Sequence, residues 1–224
     1  MAVTDILRAA PHWVRRWRWA EFVGFYLALP VAVAVLLPPD ALFTVLLAVT
    51  LLGAVLLHFT PGFRWAELTR GWGRIDWRLV AGFSAVTAAV AMGILLLVRP
   101  GALFFLPRWM PELTLAILLF YPVLSALPQE VVFRPLFFRR YGALVPDPRV
   151  ALVLNAAIFS LAHLMFWSWI VAALTFAGGL VFAWAYERRG SFALAVVLHA
   201  VAGNILFLVG LGNFFYSGNV ARPF

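Results

Sequence analysis

Seven apolar stretches, each close to the length of a membrane-crossing helix, dominate this 224-residue sequence. A transmembrane helix needs about 20 mostly apolar residues. Hydrophobic residues make up 65% of the chain and charged residues only 12%, which is too few to cover a protein in water. We therefore predict an all-α, polytopic membrane bundle of about seven transmembrane helices, with residues 1–224 forming one transmembrane domain. The predicted spans are 20–37, 42–58, 79–98, 113–133, 150–166, 168–186 and 191–210.

The basic residues predict how these spans are oriented. All 17 are arginine, and all but Arg99, Arg108 and Arg222 fall in segments that one side of the membrane would share. Because arginine is enriched in cytoplasmic loops, we expect the N-terminus in the cytoplasm and the C-terminus on the periplasmic or extracellular side. The net charge of +8 is then a topology signal, and we predict membrane lipids and no nucleic acid as partners. A composition rich in Ala, Gly and Arg without Lys is typical of GC-rich coding, and we expect a bacterial inner membrane location.

The segment Leu127-Pro-Gln-Glu-Val-Val-Phe-Arg places charged residues at the end of the predicted fourth span. Ionisable side chains in a membrane are costly and usually functional. Glu130 and Arg134 are four residues apart, so on a helix they share one face and can neutralise each other. A purely structural ion pair near the membrane boundary is the alternative interpretation. Gln129 precedes the glutamate directly.

Two histidines occur in later spans. His163 follows Phe159 by four residues, so both side chains lie on one helix face. His199 lies in the last predicted span and is followed by Asn204. Five residues turn a helix by about 140°, so Asn204 is expected to face away from His199, whereas Gly203 occupies the aligned position. A lone histidine in an apolar helix can also be a hydrogen-bonded core residue.

The depths of the three groups indicate that they can meet. At a rise of 1.5 Å per residue, Glu130 and His199 each lie roughly 14 Å from the predicted cytoplasmic boundary. His163 lies roughly 20 Å from the predicted start of its span, and the difference largely vanishes if that helix begins a turn below the bilayer, at Pro148. We therefore predict one polar site in the cytoplasmic half of the bundle.

One glutamate and two histidines can activate a water molecule. Glu130, His163 and His199 are accordingly the predicted catalytic residues, with Glu130 as the general base. The same three side chains are candidate ligands for Zn²⁺, which would lower the pKa of a bound water to about 7. No His-Glu-x-x-His motif is present to favour a metal, and the absence of cysteine excludes thiolate ligands.

In this order, the three motifs resemble the CAAX protease and bacteriocin-processing (CPBP) family over about residues 113–210. The resemblance implies an intramembrane endopeptidase acting on a hydrophobic or lipidated peptide or protein. The family pattern Glu-Glu-x-x-x-Arg, then Phe-x-x-x-His, then His with an Asn or Asp four residues later falls on Gln129, Glu130, Arg134, Phe159, His163, His199 and Gly203.

Two departures from the family pattern leave the activity open. Gln129 stands where the family has the acid assigned as the base, and Gly203 stands where it has Asn or Asp, with Asn204 one position later. In the first interpretation, Glu130 activates the water, and His199 with Asn204 or Gln129 stabilises the oxyanion. In the second, the chain is an inactive relative that binds hydrophobic peptides or partner membrane proteins. A proton-relaying transporter is a third class, disfavoured because no internal repeat is apparent. Two departures favour natural divergence over an engineered substitution at Gln129.

Overall fold

The computed structural model describes residues 12–69, 71–145 and 147–224, so Arg8 and Arg70 of the topology argument lie outside the described residues. Within these ranges the chain is helical without strands, and seven helices are long and apolar enough to cross a membrane. The prediction of an all-α polytopic bundle is therefore confirmed. The helices are α1 (His12–Leu36), α2 (Pro39–His58), α3 (Trp77–Val98), α4 (Pro111–Leu144), α5 (Pro148–Phe166), α6 (Trp169–Glu187) and α7 (Phe192–Val209).

Helix α4 continues well past residue 133, where the sequence pattern predicted its end. It is π-helical over Pro122–Ala126 and again over Val132–Tyr141, a stretch that contains Pro135. Proline lacks an N–H and its ring clashes with the carbonyl four residues back in an α-helix. In the wider π register hydrogen bonds run five residues back, so the helix passes through Pro135. Arg134 therefore lies within α4 and not at its end, and its side chain is fully buried in the bundle.

Helix α7 is the most buried element of the bundle and packs against α3, α4 and α6. Helices α5 and α6 form a closely packed pair beside it. A Cβ added at Gly179 of α6 would lie only 3.1 Å from Cα of Ala156 in α5, so glycine allows this close approach. Small residues have the same role in membrane helix packing generally.

Helix α5 begins at the earlier of the two positions that the sequence analysis considered. The helix begins at Pro148, and the side chain of Asp147 caps it by accepting hydrogen bonds from the backbone N–H groups of Arg149 and Val150. These backbone donors lower the pKa of the exposed Asp147 carboxyl.

Ion pairs bring the arginine-rich segments to one end of the bundle. Arg139 near the end of α4 pairs with Glu67 in the α2–α3 connection. Arg189 in the α6–α7 connection lies 3.5 Å from Asp76, which caps α3. Arg140 pairs with Glu21 of α1. The predicted clustering of these segments on one side is consistent with this arrangement.

An aromatic contact joins α1 to the π-helical part of α4. The chain of α1 is π-helical over Gly24–Ala28, and the hydroxyl of buried Tyr26 donates to the backbone carbonyl of Val132 over 2.6 Å. The Tyr26 ring also packs edge-on against Phe137 and Tyr141. This contact braces the helix next to Arg134.

We expect Tyr26→Phe to lower the thermal stability of the protein in detergent. The ring still fits, but the loss of one buried hydrogen bond should cost about 1 kcal/mol. Tyr216→Phe is the matched control, because Tyr216 is 59% exposed. Equal unfolding temperatures for the two variants would contradict a bracing role for the Tyr26 hydroxyl.

Candidate active site

The centre of the site is a fully buried ion pair on α4. Arg134 Nε lies 2.8 Å from Glu130 Oε2, and Arg134 Nη2 lies 3.3 Å from Oε1. Both side chains are 0% exposed, so neither charge is solvated by water. The four-residue spacing thus places both groups on one helix face.

Asn155 of α5 completes the coordination of the arginine. Its Oδ1 accepts a hydrogen bond from Arg134 Nη1, and its Nδ2 donates to the Phe133 carbonyl over 2.6 Å. The Arg134 guanidinium also lies 5.2 Å from the ring centroid of Phe159, at cation–π distance. Sequence analysis missed Asn155, although a polar residue inside an apolar span was a usable signal.

His199 of α7 is hydrogen-bonded through both of its ring nitrogens. Its Nδ1 lies 2.9 Å from Glu130 Oε1 and its Nε2 lies 3.1 Å from the hydroxyl of Tyr121 in α4. Because a carboxylate accepts, Nδ1 carries the hydrogen, and Nε2 then accepts from the phenol. Phe182 stacks on the imidazole at 4.9 Å with an interplanar angle of 11°. His199 is therefore fixed in tautomer and orientation.

His163 has a different environment from His199. It lies just beyond the α-helical part of α5, and its Nδ1 is 2.8 Å from the Phe159 carbonyl. A carbonyl only accepts, so Nδ1 carries the hydrogen and Nε2 presents a lone pair. Nε2 has no hydrogen-bond partner among the described residues. His163 is thus the imidazole with a nitrogen available to a water molecule.

The three predicted catalytic side chains do not all touch. Glu130 and His199 are bonded directly, whereas His163 is connected to them through the ring of Phe159. The Phe159 centroid lies 4.8 Å from the His163 ring and 5.4 Å from the His199 ring. Phe159 therefore sets the separation between the two imidazoles.

The predicted supporting amides have partners outside this network. Gln129 Nε2 donates to Ser125 Oγ over 2.9 Å, and Asn204 Nδ2 donates to the Leu118 carbonyl over 3.2 Å. The Oδ1 atom of Asn204 is buried and has no hydrogen-bond partner in the described part of the chain. As the helical spacing predicted, Asn204 does not contact His199. The aligned position, Gly203, faces the ring of Tyr121.

The candidate zinc ligands do not form a ligand set in this arrangement. Over the described ranges, no group of three or more His, Cys, Asp or Glu side chains is placed to hold a metal ion. The oxygens of Glu130 face Arg134 and His199, and both His199 nitrogens are hydrogen-bonded.

We expect Arg134→Met to destabilise the protein strongly, because it leaves the Glu130 carboxylate buried without its cation. Removing one partner of a buried pair typically costs about 3–5 kcal/mol. The double variant Glu130→Gln/Arg134→Met should recover part of this loss, since the uncompensated charge is gone. Thermal unfolding in lipid nanodiscs measures both. A double variant no more stable than Arg134→Met would contradict charge neutralisation as the purpose of the pair.

Comparison with known proteins supports the resemblance seen in the motifs. Residues 111–205 match the family model described as type II CAAX prenyl endopeptidase Rce1-like, and this range contains Glu130, His163 and His199. Searches of curated proteins and of solved structures gave no match. Over residues 111–205, this integral membrane protein is thus similar to the CAAX protease (CPBP) family.

Proposed function

We propose that this protein is an intramembrane endopeptidase that hydrolyses a peptide bond in a hydrophobic or lipidated peptide or protein. The family match supports a CAAX-type peptidase in general. The observation that carries the proposal is the buried hydrogen bond between Glu130 and His199, which fixes one imidazole beside a second one with a free nitrogen. Such a pair costs desolvation energy, and its position in a membrane helix is typical of a functional site.

In the proposed mechanism, His163 removes the proton from the attacking water. Its Nε2 has a lone pair, and the Phe159 carbonyl holds the ring in the required tautomer. Glu130 is a poorer base here, because its two oxygens accept from Arg134 and His199 and the side chain is 0% exposed. Glu130 instead holds His199 in its tautomer and orientation. After the C–N bond breaks, His163 returns the proton to the leaving amine.

Gln129 would position the water without deprotonating it. Its amide is half-buried next to Glu130 and donates to Ser125 through one hydrogen of Nε2. The amide carbonyl oxygen can accept a hydrogen bond from water, but an amide is not a base at neutral pH. In this mechanism the reaction is slower than with a carboxylate at this position, and it needs no metal ion.

We also propose that the arginine-rich end of the bundle faces the cytoplasm of a bacterial inner membrane. The ion pairs of Arg139, Arg140 and Arg189 hold these segments at one end, which supports one common side. The positive-inside rule then assigns the side. Substrates would reach the site from the bilayer, because the surface between the two ends is apolar.

The second candidate function is an inactive relative that binds hydrophobic peptides or partner membrane proteins. The observation that favours it is Gln129, since the family's assigned base is an acid at this position. The binding protein would use the same buried network without turnover.

We expect His163→Ala to lower cleavage by about 10²–10⁴-fold, the usual contribution of an acid–base group. His199→Ala and Glu130→Gln should also lower cleavage, because they remove the fixed imidazole or the carboxylate that holds it. The assay uses purified protein in nanodiscs with a library of hydrophobic and prenylated peptides. His58→Ala is the matched control, because His58 is exposed at the end of α2. Thermal unfolding checks that each variant is folded.

Equal cleavage by His163→Ala and the wild type would reject His163 as the base. Loss of activity after metal chelation, with zinc found in the purified protein, would reject the metal-free mechanism.

Gln129→Glu is expected to raise the cleavage rate above that of the wild type, because it restores a carboxylate beside Glu130, where the family has the acid assigned as the base. Gln129→Asn is the control that keeps an amide. If only Gln129→Glu cleaves any library member and the wild type binds the peptides without turnover, the inactive binding protein is the correct interpretation.

A further inference from the structure

We propose that Tyr121 is a further catalytic residue, whose phenol hydroxyl donates a hydrogen bond to the carbonyl oxygen of the peptide bond under attack. We propose in addition that glycine at position 203 makes room for the Tyr121 ring. Both statements rest on the proposed function. The helical fold alone requires neither a tyrosine at position 121 nor a glycine at position 203.

The space at Gly203 is filled by the tyrosine. A Cβ at this position would lie 2.1 Å from Cε1, 2.3 Å from Cζ and 2.5 Å from the hydroxyl oxygen of Tyr121, all far inside contact distance. Gly203 lies in the middle of α7 with ordinary helical geometry, so its backbone does not require glycine. Glycine inside a helix costs roughly 0.5–1 kcal/mol relative to alanine. The space that glycine leaves for the Tyr121 ring explains why the helix tolerates this loss of stability.

The tyrosine hydroxyl is held at His199, the fixed imidazole. It lies 3.1 Å from Nε2 of His199, and the two rings meet nearly edge-on with centroids 6.1 Å apart. Phe207 packs against the other part of the Tyr121 ring at 5.8 Å. A phenol hydrogen turns by rotation about one C–O bond, so the donor can move from Nε2 to a carbonyl oxygen beside it while the ring stays in place.

Most other side-chain donors around the ion pair are engaged with acceptors of the protein, and the Gln129 amide is used for the water in the proposed mechanism. Asn204, the amide predicted from the sequence to assist the oxyanion, donates to the Leu118 carbonyl. Four further side chains donate through N–H groups to carboxylate, amide or carbonyl oxygens. They are Arg134, Asn155, His163 and His199. Among these described side chains, Tyr121 has the donor that can be released without leaving a buried oxygen unpaired.

The reaction balances with Tyr121 as a hydrogen-bond donor only. The water oxygen bonds to the carbonyl carbon, its proton moves to Nε2 of His163, and the π electrons of the carbonyl move to its oxygen. The Tyr121 hydroxyl stabilises this oxyanion in a site where water is excluded. When the carbonyl reforms, the C–N bond breaks and the amine takes the proton from His163. Tyr121 then returns to His199 unchanged.

The first measurement compares Tyr121→Phe with the wild type in the nanodisc cleavage assay. Loss of one oxyanion donor should lower kcat by about 10²–10³-fold and leave KM nearly unchanged. Tyr216→Phe, at an exposed tyrosine, is the matched control. Gly203→Ala should have a similar effect on kcat, because its methyl group displaces the ring.

The second measurement does not depend on turnover. A peptide phosphinate, whose tetrahedral anion resembles the oxyanion intermediate, is compared with its parent peptide for binding to each variant in nanodiscs. We expect the wild type to prefer the phosphinate by about 10²-fold or more, and Tyr121→Phe to lose this preference while it binds the parent peptide equally well. A preference retained by Tyr121→Phe, or no preference in the wild type, would overturn the role of Tyr121. Absence of cleavage by a wild type that still shows the Tyr121-dependent preference would instead count against the proposed function alone.

Discussion

A carboxylate buried in a membrane bundle can stay charged only if the protein supplies its solvation, and Glu130 obtains this from two helices. Arg134 of α4 provides the opposite charge, and His199 of α7 donates a hydrogen bond. Asn155 of α5 holds the arginine in turn. Because the desolvation penalty of each ion is several kcal/mol, these partners have to be present together. The network therefore defines how α4, α5 and α7 meet.

The irregular geometry of α4 makes this network possible. The helix passes through Pro135 in a π-helical register, and Arg134 consequently lies inside the bundle. Tyr26 of α1 supports the same segment through the Val132 carbonyl, and the Arg140–Glu21 pair anchors its far end. π-Helical segments are frequent at functional sites. Here the π-helical segment keeps the Arg134 guanidinium inside the bundle, whereas the end of a helix would expose it.

The site combines one fixed imidazole and one available imidazole. His199 is bonded on both nitrogens and stacked on Phe182, whereas only one nitrogen of His163 is bonded within residues 12–69, 71–145 and 147–224. Phe159 contacts both rings and sets their separation. Such a division suits a reaction in which one group moves a proton and the other stays in place. It also explains how the site could operate with an amide at position 129.

Much of this protein is determined by its sequence. Apolar stretches of membrane length predict the seven spans, and four-residue spacings place Glu130 with Arg134 and Phe159 with His163, because these patterns depend only on helix geometry and hydrophobicity. The continuation of α4 past residue 133 was not predicted, since arginines and a proline interrupt the apolar pattern there. Only the tertiary structure decided which nitrogen is free and which group fills the space at Gly203. The bonds of His199 to Glu130 and Tyr121 join residues 69 and 78 positions apart, and no local pattern specifies such distant hydrogen-bond partners.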